Sequence, residues 1–203
     1  MNKRDNVYHL INDAKNGCCV LVGNLLITAG HLINDDGIYL QIKGSRISLK
    51  REDAIILFED SLEKELDGHE RDIAIFKLDD FSSPLELDDK EVEVGDILES
   101  ISYRSRAVKI ENPVKLDPKI YGVFGGDHYV TVYDEIITSA KVDEVGGGYF
   151  SCNTDVMLKP GSSGSPIFNG DKVAGILVAG SLGTNNCVFM SSRSILNLIN
   201  SNE

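Results

Sequence analysis

Three residues of this chain have the types and the order needed to activate a nucleophile: His31, Asp72 and Ser163. Thr28-Ala29-Gly30-His31 closes one apolar run, and Asp72-Ile73-Ala74-Ile75 opens another. Gly161-Ser162-Ser163-Gly164-Ser165-Pro166 follows, 41 residues separating His31 from Asp72 and 91 separating Asp72 from Ser163. A serine hydroxyl is a poor nucleophile until a neutral imidazole accepts its proton. The imidazole in turn needs a carboxylate to fix its tautomer and stabilise its charged form. Base, acid and nucleophile are thus all present.

Each residue also has a plainer reading. A Ser/Gly turn between strands is common, but the two upstream motifs argue against that here. Gly161 and Gly164 suit a tight turn that brings backbone N–H groups close to a substrate, since glycine tolerates the dihedrals required. Ser162 and Ser165 are weaker nucleophile candidates, and His9, His69 and His128 sit in no comparable motif. Asp72 precedes a continuously apolar run, so it is expected at the mouth of a buried strand, where a carboxylate needs strong partners. Asp35, Asp36, Glu70 and Asp79 read as solvated acids. An α/β-hydrolase would run serine, acid, histidine. No histidine follows Ser163, so that arrangement is excluded.

The elements that must hold these groups are short strands, β-branched runs broken by Gly, Asn and Asp. The first half predicts strands at 18–22, 25–28, 38–42, 54–57 and 73–78, then a loop over 81–95. The second half predicts 97–101, 107–110, 129–132, 135–138, 149–152, 166–168, 173–178 and 188–191. Ile195, Leu196, Leu198 and Ile199 fit a short terminal helix over 192–200. Many short, closely spaced strands mean a sandwich or a barrel, and periodicity does not choose between them.

Composition narrows the partners. At 203 residues, 42% apolar and 26% charged, the chain can bury a sizeable core. Its net charge is −12, and 17 of its 32 acids fall between Glu52 and Asp96. Such a surface repels phosphate backbones, so no nucleic-acid partner is expected. No apolar stretch approaches the ~20 residues that span a bilayer, so no membrane partner is expected. The polar start leads into no hydrophobic signal core, which points to the cytoplasm. Cys18, Cys19, Cys152 and Cys187 then read as free thiols in a reducing compartment. With no C-x₂-C pair and no nearby His partner, neither a metal site nor a cofactor is expected.

The three motifs, with Val173-Ala174-Gly175-Ile176-Leu177-Val178-Ala179-Gly180 after them, resemble the chymotrypsin-like (trypsin-like) serine proteases, closest in flavour to bacterial members. The resemblance runs over about residues 17–200. It implies an all-β fold of two antiparallel β-barrels with a short C-terminal helix and the triad between them. The single domain over 1–203 would divide into barrels near 14–85 and 92–191 and a helix at 192–200. The implied activity is serine endopeptidase, acting on protein or peptide substrates through an acyl-enzyme. His31, Asp72 and Ser163 would be catalytic, and the Gly161 and Ser163 N–H groups would form the oxyanion hole. The alternative is a catalytically silent binding or scaffolding protein on the same fold. A viral rather than bacterial setting would share the chemistry.

Departures from the family pattern carry further expectations. Leu32 and Lys159 stand where secreted relatives place half-cystines, and Ser162 replaces the Asp that pairs with a newly cut N-terminus. Precursor activation of that kind is not expected, which leaves narrow specificity, a regulatory partner or a disordered oxyanion loop as restraints. Val178 replaces a serine that supports the catalytic Asp. Aligned on the same motifs, Met157 sits at the base of the specificity pocket with Leu158 next to it. Val178 and Gly180 lie on the wall strand, and Cys187 faces the base. None is charged, so an apolar residue before the cut is expected.

Overall fold

The computed structural model describes residues 2–11, 16–33, 37–42, 44–58, 72–110, 121–124, 127–158, 161–180 and 183–202. Asp35, Asp36, His69, Glu70 and Lys159 lie outside the described residues, as does the His128 side chain.

Among the described residues, fourteen strands form two antiparallel seven-stranded sheets. The first contains β1 (Val7–Ile11), β2 (Asn16–Val22), β3 (Leu25–Thr28), β4 (Ile38–Ile42), β5 (Ser45–Leu49), β6 (Ala54–Phe58) and β7 (Ile73–Lys77), in the order β5-β4-β1-β2-β3-β7-β6. The second contains β8 (Ile97–Ile110), β9 (Tyr121–Phe124), β10 (Asp127–Gly146), β11 (Tyr149–Thr154), β12 (Pro166–Asn169), β13 (Lys172–Gly180) and β14 (Asn186–Ser191). Its order is β11-β14-β13-β12-β8-β10-β9, and β10 also pairs with β11. That last ladder closes six strands into a barrel, with β9 added outside it. The first sheet is a half-barrel whose end strands, β5 and β6, share no ladder among the described residues.

The fold is the chymotrypsin-like one expected from the motifs, with several differences of extent. The first sheet begins at Val7, ahead of residue 14, because β1 pairs along all five of its residues with β2. The expected runs at 97–101 and 107–110 are one strand, β8, and those at 129–132 and 135–138 are parts of β10. β8 and β10 pair without a break from Ile97↔Lys141 to Ile110↔His128. Polar residues that look like strand breaks in the sequence are simply paired across this ladder.

Burial follows the two-residue period of each strand. On β2, Cys19 and Leu21 enter the core of the first sheet, while Val20 and Val22 face the second. On β7, Ala74 and Phe76 point inward, and Ile73 and Ile75 face the second sheet. A strand with a core on both faces reads as an unbroken apolar run, as these do. Val20, Ile27 and Ile75 meet Ile101, Phe168 and Ile176 between the sheets. Leu98, Val142, Phe150, Ile167 and Phe189 fill the closed barrel.

Helix α1 (Ser192–Ser201) starts where the Ser191 hydroxyl accepts the Ser194 N–H, and it buries Ile195 and Leu198 against the core between the sheets. The segment joining the sheets is fastened to both. Ser83 N–H donates to the Gly23 carbonyl at 2.8 Å, and Asp88 N–H donates to the Val173 carbonyl at 2.7 Å. No helix among the described residues is long and apolar enough to cross a membrane.

Candidate active site

Ladder register brings His31 and Asp72 together. β3 and β7 are neighbours, with Thr28 opposite Ala74. In an antiparallel pair, the residues just after Thr28 and just before Ala74 therefore emerge at the same end of the sheet. His31 sits in a single 3₁₀ turn, Gly30–Leu32, directly after β3, and Asp72 directly precedes β7. Asp72 is only 8% exposed. One of its oxygens, Oδ1, accepts the His31 backbone N–H at 2.7 Å, while Oδ2 lies 2.6 Å from His31 Nδ1. An ionised carboxylate only accepts, so the Nδ1 proton stays on the ring. In the neutral imidazole, Nε2 is then the acceptor.

Gly30 is the point where the histidine turn comes closest to β6. A Cβ on Gly30 would overlap the Phe58 carbonyl at the end of β6. The turn carrying His31 is thus pressed against β6, and any side chain there would displace it.

The Ser163 segment is held from both sheets. Within its own sheet, Gly164 N–H donates to the Leu177 carbonyl at 2.8 Å and Leu177 N–H to the Ser165 carbonyl at 2.9 Å. From the first sheet, Cys18 N–H donates to the Ser163 carbonyl at 2.7 Å. Gly161 and Gly164 have φ of +101° and +81°, a region that non-glycine residues occupy at a cost. A Cβ on Gly164 would overlap both the Cys18 carbonyl and Thr28 Oγ1, which are themselves joined by a 2.6 Å hydrogen bond. A Cβ on Gly17 would clash with Leu32 and come within 2.8 Å of the Ser163 carbonyl. Leu32 adjoins His31, so the histidine turn and the serine segment rest on the same strand start.

Of the three serines, Ser162 and Ser165 are buried and Ser163 is half-exposed. Among the described residues, neither the Gly161 nor the Ser163 N–H donates a main-chain hydrogen bond. The neighbouring thiols are no rivals as nucleophiles. Burial pushes Cys18 up to about 11 and Cys19 well above the usual thiol range, so both stay protonated near neutral pH.

The expected pocket residues are placed unequally. Gly180 and Cys187 face each other across the β13–β14 ladder, with the Cys187 sulfur 3.9 Å from where a Gly180 Cβ would stand. Cys187 is also opposite Cys152 on β11, both as free, buried thiols. Burial pushes Cys152 up to about 12 and raises Cys187 as well. Leu158 is half-buried on the barrel core, and Val178 packs between the sheets. Met157 is 38% exposed.

The sequence reading passed over Asn16 and Gly17, although a glycine inside a strand often marks a close backbone approach, as Gly17 does. Asn16 Oδ1 is buried without a hydrogen-bond partner among the described residues, and a Cβ on Gly161 would overlap it. No group of three or more His, Cys, Asp or Glu side chains among the described residues could hold a metal ion.

Comparison with solved structures agrees with this fold. The serine endoprotease of Yersinia pestis superposes with a TM-score of 0.64 at 16% identity, over 98% of this chain and 62% of that one. An inactivated protease paralogue of the scabies mite gives 0.65 at 14% identity, over 98% and 92% of the two chains. A serine-to-alanine variant of Rv3671c from M. tuberculosis, in its inactive form, gives 0.63 at 12% identity, over 98% and 87%. No curated protein sequence matches the chain. At such identities these likenesses speak for the fold alone. Residues 15–176, however, match the family described as trypsin-like peptidase domain, and that match covers most of the sequence. The chain belongs to the trypsin-like peptidase domain family.

Proposed function

We propose that the protein is a serine endopeptidase with Ser163 as nucleophile, His31 as general base and Asp72 as the carboxylate that orients it. The observation carrying this reading is the two-point contact between Asp72 and His31, in the same sheet whose Cys18 N–H holds the Ser163 carbonyl. In this mechanism Ser163 Oγ attacks the scissile carbonyl while His31 Nε2 takes its proton. The Gly161 and Ser163 N–H groups stabilise the developing oxyanion. Collapse expels the amine, protonated by His31, and leaves an acyl-enzyme. Water, deprotonated by the same nitrogen, then releases the acid. A polypeptide substrate is what the family supplies.

Leu158, Gly180 and Cys187 offer apolar surface and space to the residue before the cut. Each CH₂ buried there contributes ~0.8 kcal/mol. A Lys or Arg head buried without a partner costs several kcal/mol. Met157, 38% exposed, adds apolar surface to this set. The lack of a charged group in this set favours Leu, Met, Val or Phe before the cut.

The test combines a fluorophosphonate probe with a peptide library. Labelling mapped to Ser163 and absent in Ser163→Ala, together with cleavage after mid-sized apolar residues, is the expected result. Absence of labelling in folded protein would instead favour a catalytically silent binding protein. Native preference for Lys, Arg or Glu would overturn the pocket assignment and leave the nucleophile untouched.

A further inference from the structure

A cavity of about 610 Å³ opens on the first sheet, against β8 of the second. Tyr8, His9 and Ile11 of β1, Tyr39 of β4, Arg46 of β5 and Tyr103 of β8 line it. It lies one strand ladder away from the candidate active site. The register of β1 with β2 puts Leu10 opposite Gly17 and Ile11 opposite Asn16. Gly17 abuts the Ser163 carbonyl, and Asn16 abuts Gly161. The Tyr103 carbonyl lies 4.0 Å from where a Gly161 Cβ would stand. Ile11 and Tyr103 thus connect the cavity to the segment that would hold the oxyanion.

The chemistry of the lining is selective. Although the chain carries 32 acids and a net charge of −12, no acidic side chain among the described residues lines this cavity. Its cation is Arg46, whose guanidinium carbon sits 4.2 Å over the Tyr39 ring centroid. Stacking covers one face of the guanidinium and leaves its N–H edge free for a carboxylate. Among the described residues Arg46 forms no ion pair. The Tyr103 hydroxyl is tied to the Val7 carbonyl at 3.2 Å, which fixes its ring as a wall. His9 is held between rings, with centroids 3.8 Å from Tyr133 and 5.6 Å from Tyr103. Among the described residues the site is therefore an aromatic cleft with Arg46 as the cation at its edge.

We propose that this cavity receives the part of the substrate that follows the scissile bond and selects an acidic side chain there through Arg46. The assignment rests on the endopeptidase reading above. In that reading the residues before the cut lie along the end of β13, so the departing segment crosses the other wall, toward β1, β4 and β5. An extended chain advances ~3.3 Å per residue, so the first few positions after the cut fall within reach of the cavity.

The experiment uses peptides with one favourable apolar residue before the cut and Asp, Ala or Lys at each of roughly the first five positions after it. One position is expected to prefer Asp over Lys by about tenfold in kcat/KM, chiefly through KM, with the preference shrinking as salt rises. Arg46→Gln should abolish the preference and Arg46→Glu reverse it. Arg46 is exposed, so neither change threatens folding. Equal cleavage of Asp and Lys peptides at every position, or a preference unchanged in Arg46→Glu, would overturn the assignment. Fluorophosphonate labelling of wild-type Ser163 separates this outcome from failure of the endopeptidase reading. If that labelling fails, fluorescence anisotropy with the same peptides decides. Arg46-dependent retention of the acidic peptide supports the cavity, and indifference to charge rejects it.

Discussion

The two sheets position their share of the site by different means. His31 and Asp72 leave adjacent ends of β3 and β7, so a ladder within one sheet sets their approach. Ser163 belongs to the other sheet, and its place relative to His31 depends on contacts between sheets: Cys18 N–H on the Ser163 carbonyl, and Gly164 against Cys18 and Thr28. The His31–Asp72 contact is thus a local product of strand register. Ser163 is placed by tertiary packing, in which small errors accumulate and glycine is required at the points of closest approach.

The largest effects should come from removing the chemistry outright. Ser163→Ala or His31→Ala is expected to lower kcat on a peptide substrate by on the order of 10⁶, with no further loss when combined. Asp72→Asn should cost about 10⁴, because an amide at that place favours the wrong imidazole tautomer. Circular dichroism should show all three variants folded. An Asp72→Asn enzyme retaining most of its kcat would break the idea that the first sheet delivers a working pair.

Next come variants that separate register from docking. Gly164→Ala places a side chain at positive φ and into the Cys18 carbonyl, which together cost roughly 2–4 kcal/mol. Gly30→Ala drives the histidine turn into the Phe58 carbonyl and costs about 1–3 kcal/mol. Both should lose activity, but in different ways. The downfield proton resonance of His31 Nδ1–H should survive in Gly164→Ala while fluorophosphonate labelling disappears. In Gly30→Ala the resonance itself should be lost. If the resonance vanished in both variants, the two sheets would be positioning the site as one unit.

This division also explains what could be read from the sequence. The three motifs are local, and so are the strands beside them: β3 and β4 have the expected limits, and β2, β7 and β13 shift only at their ends. Strands with a faint apolar pattern are less legible even where the partner is near in sequence, as β2 is to β1 and β4 to β5. β1 carries His9 amid Val7, Leu10 and Ile11, and β5 alternates polar residues along a sheet edge. Apolar periodicity is faint in both, and pairing partners supply what it lacks. The long β8–β10 ladder was read as separate pieces because each polar residue resembled a break. Gly17 and Asn16 were passed over for another reason: their importance comes from Leu32, Gly161 and Ser163, all remote in sequence. The aromatic cavity gathers β1, β4, β5 and β8, and no short motif announces it.

The smallest expected effect probes the place where the first sheet meets the long ladder of the second. His9 stacks there on Tyr133, its Nε2 is buried without a partner among the described residues, and burial lowers its pKa to about 4. Unfolded, the same imidazole titrates near 6.5. Between these values the unfolded chain binds the extra proton, so stability is fully present above about 6.5 and declines as pH falls toward 4. Below about 4 both states are protonated and the decline ends. Solvent screening of a partly buried ring keeps the total on the order of 2 kcal/mol. His9→Phe retains an aromatic ring in the stack and removes the titration. Urea midpoints at pH 7 and pH 4.5 should therefore fall further in wild type than in His9→Phe, after allowance for the carboxylates common to both. Equal falls would mean that His9 takes up its proton in the folded protein, and that the junction between the sheets is wetter than its packing indicates.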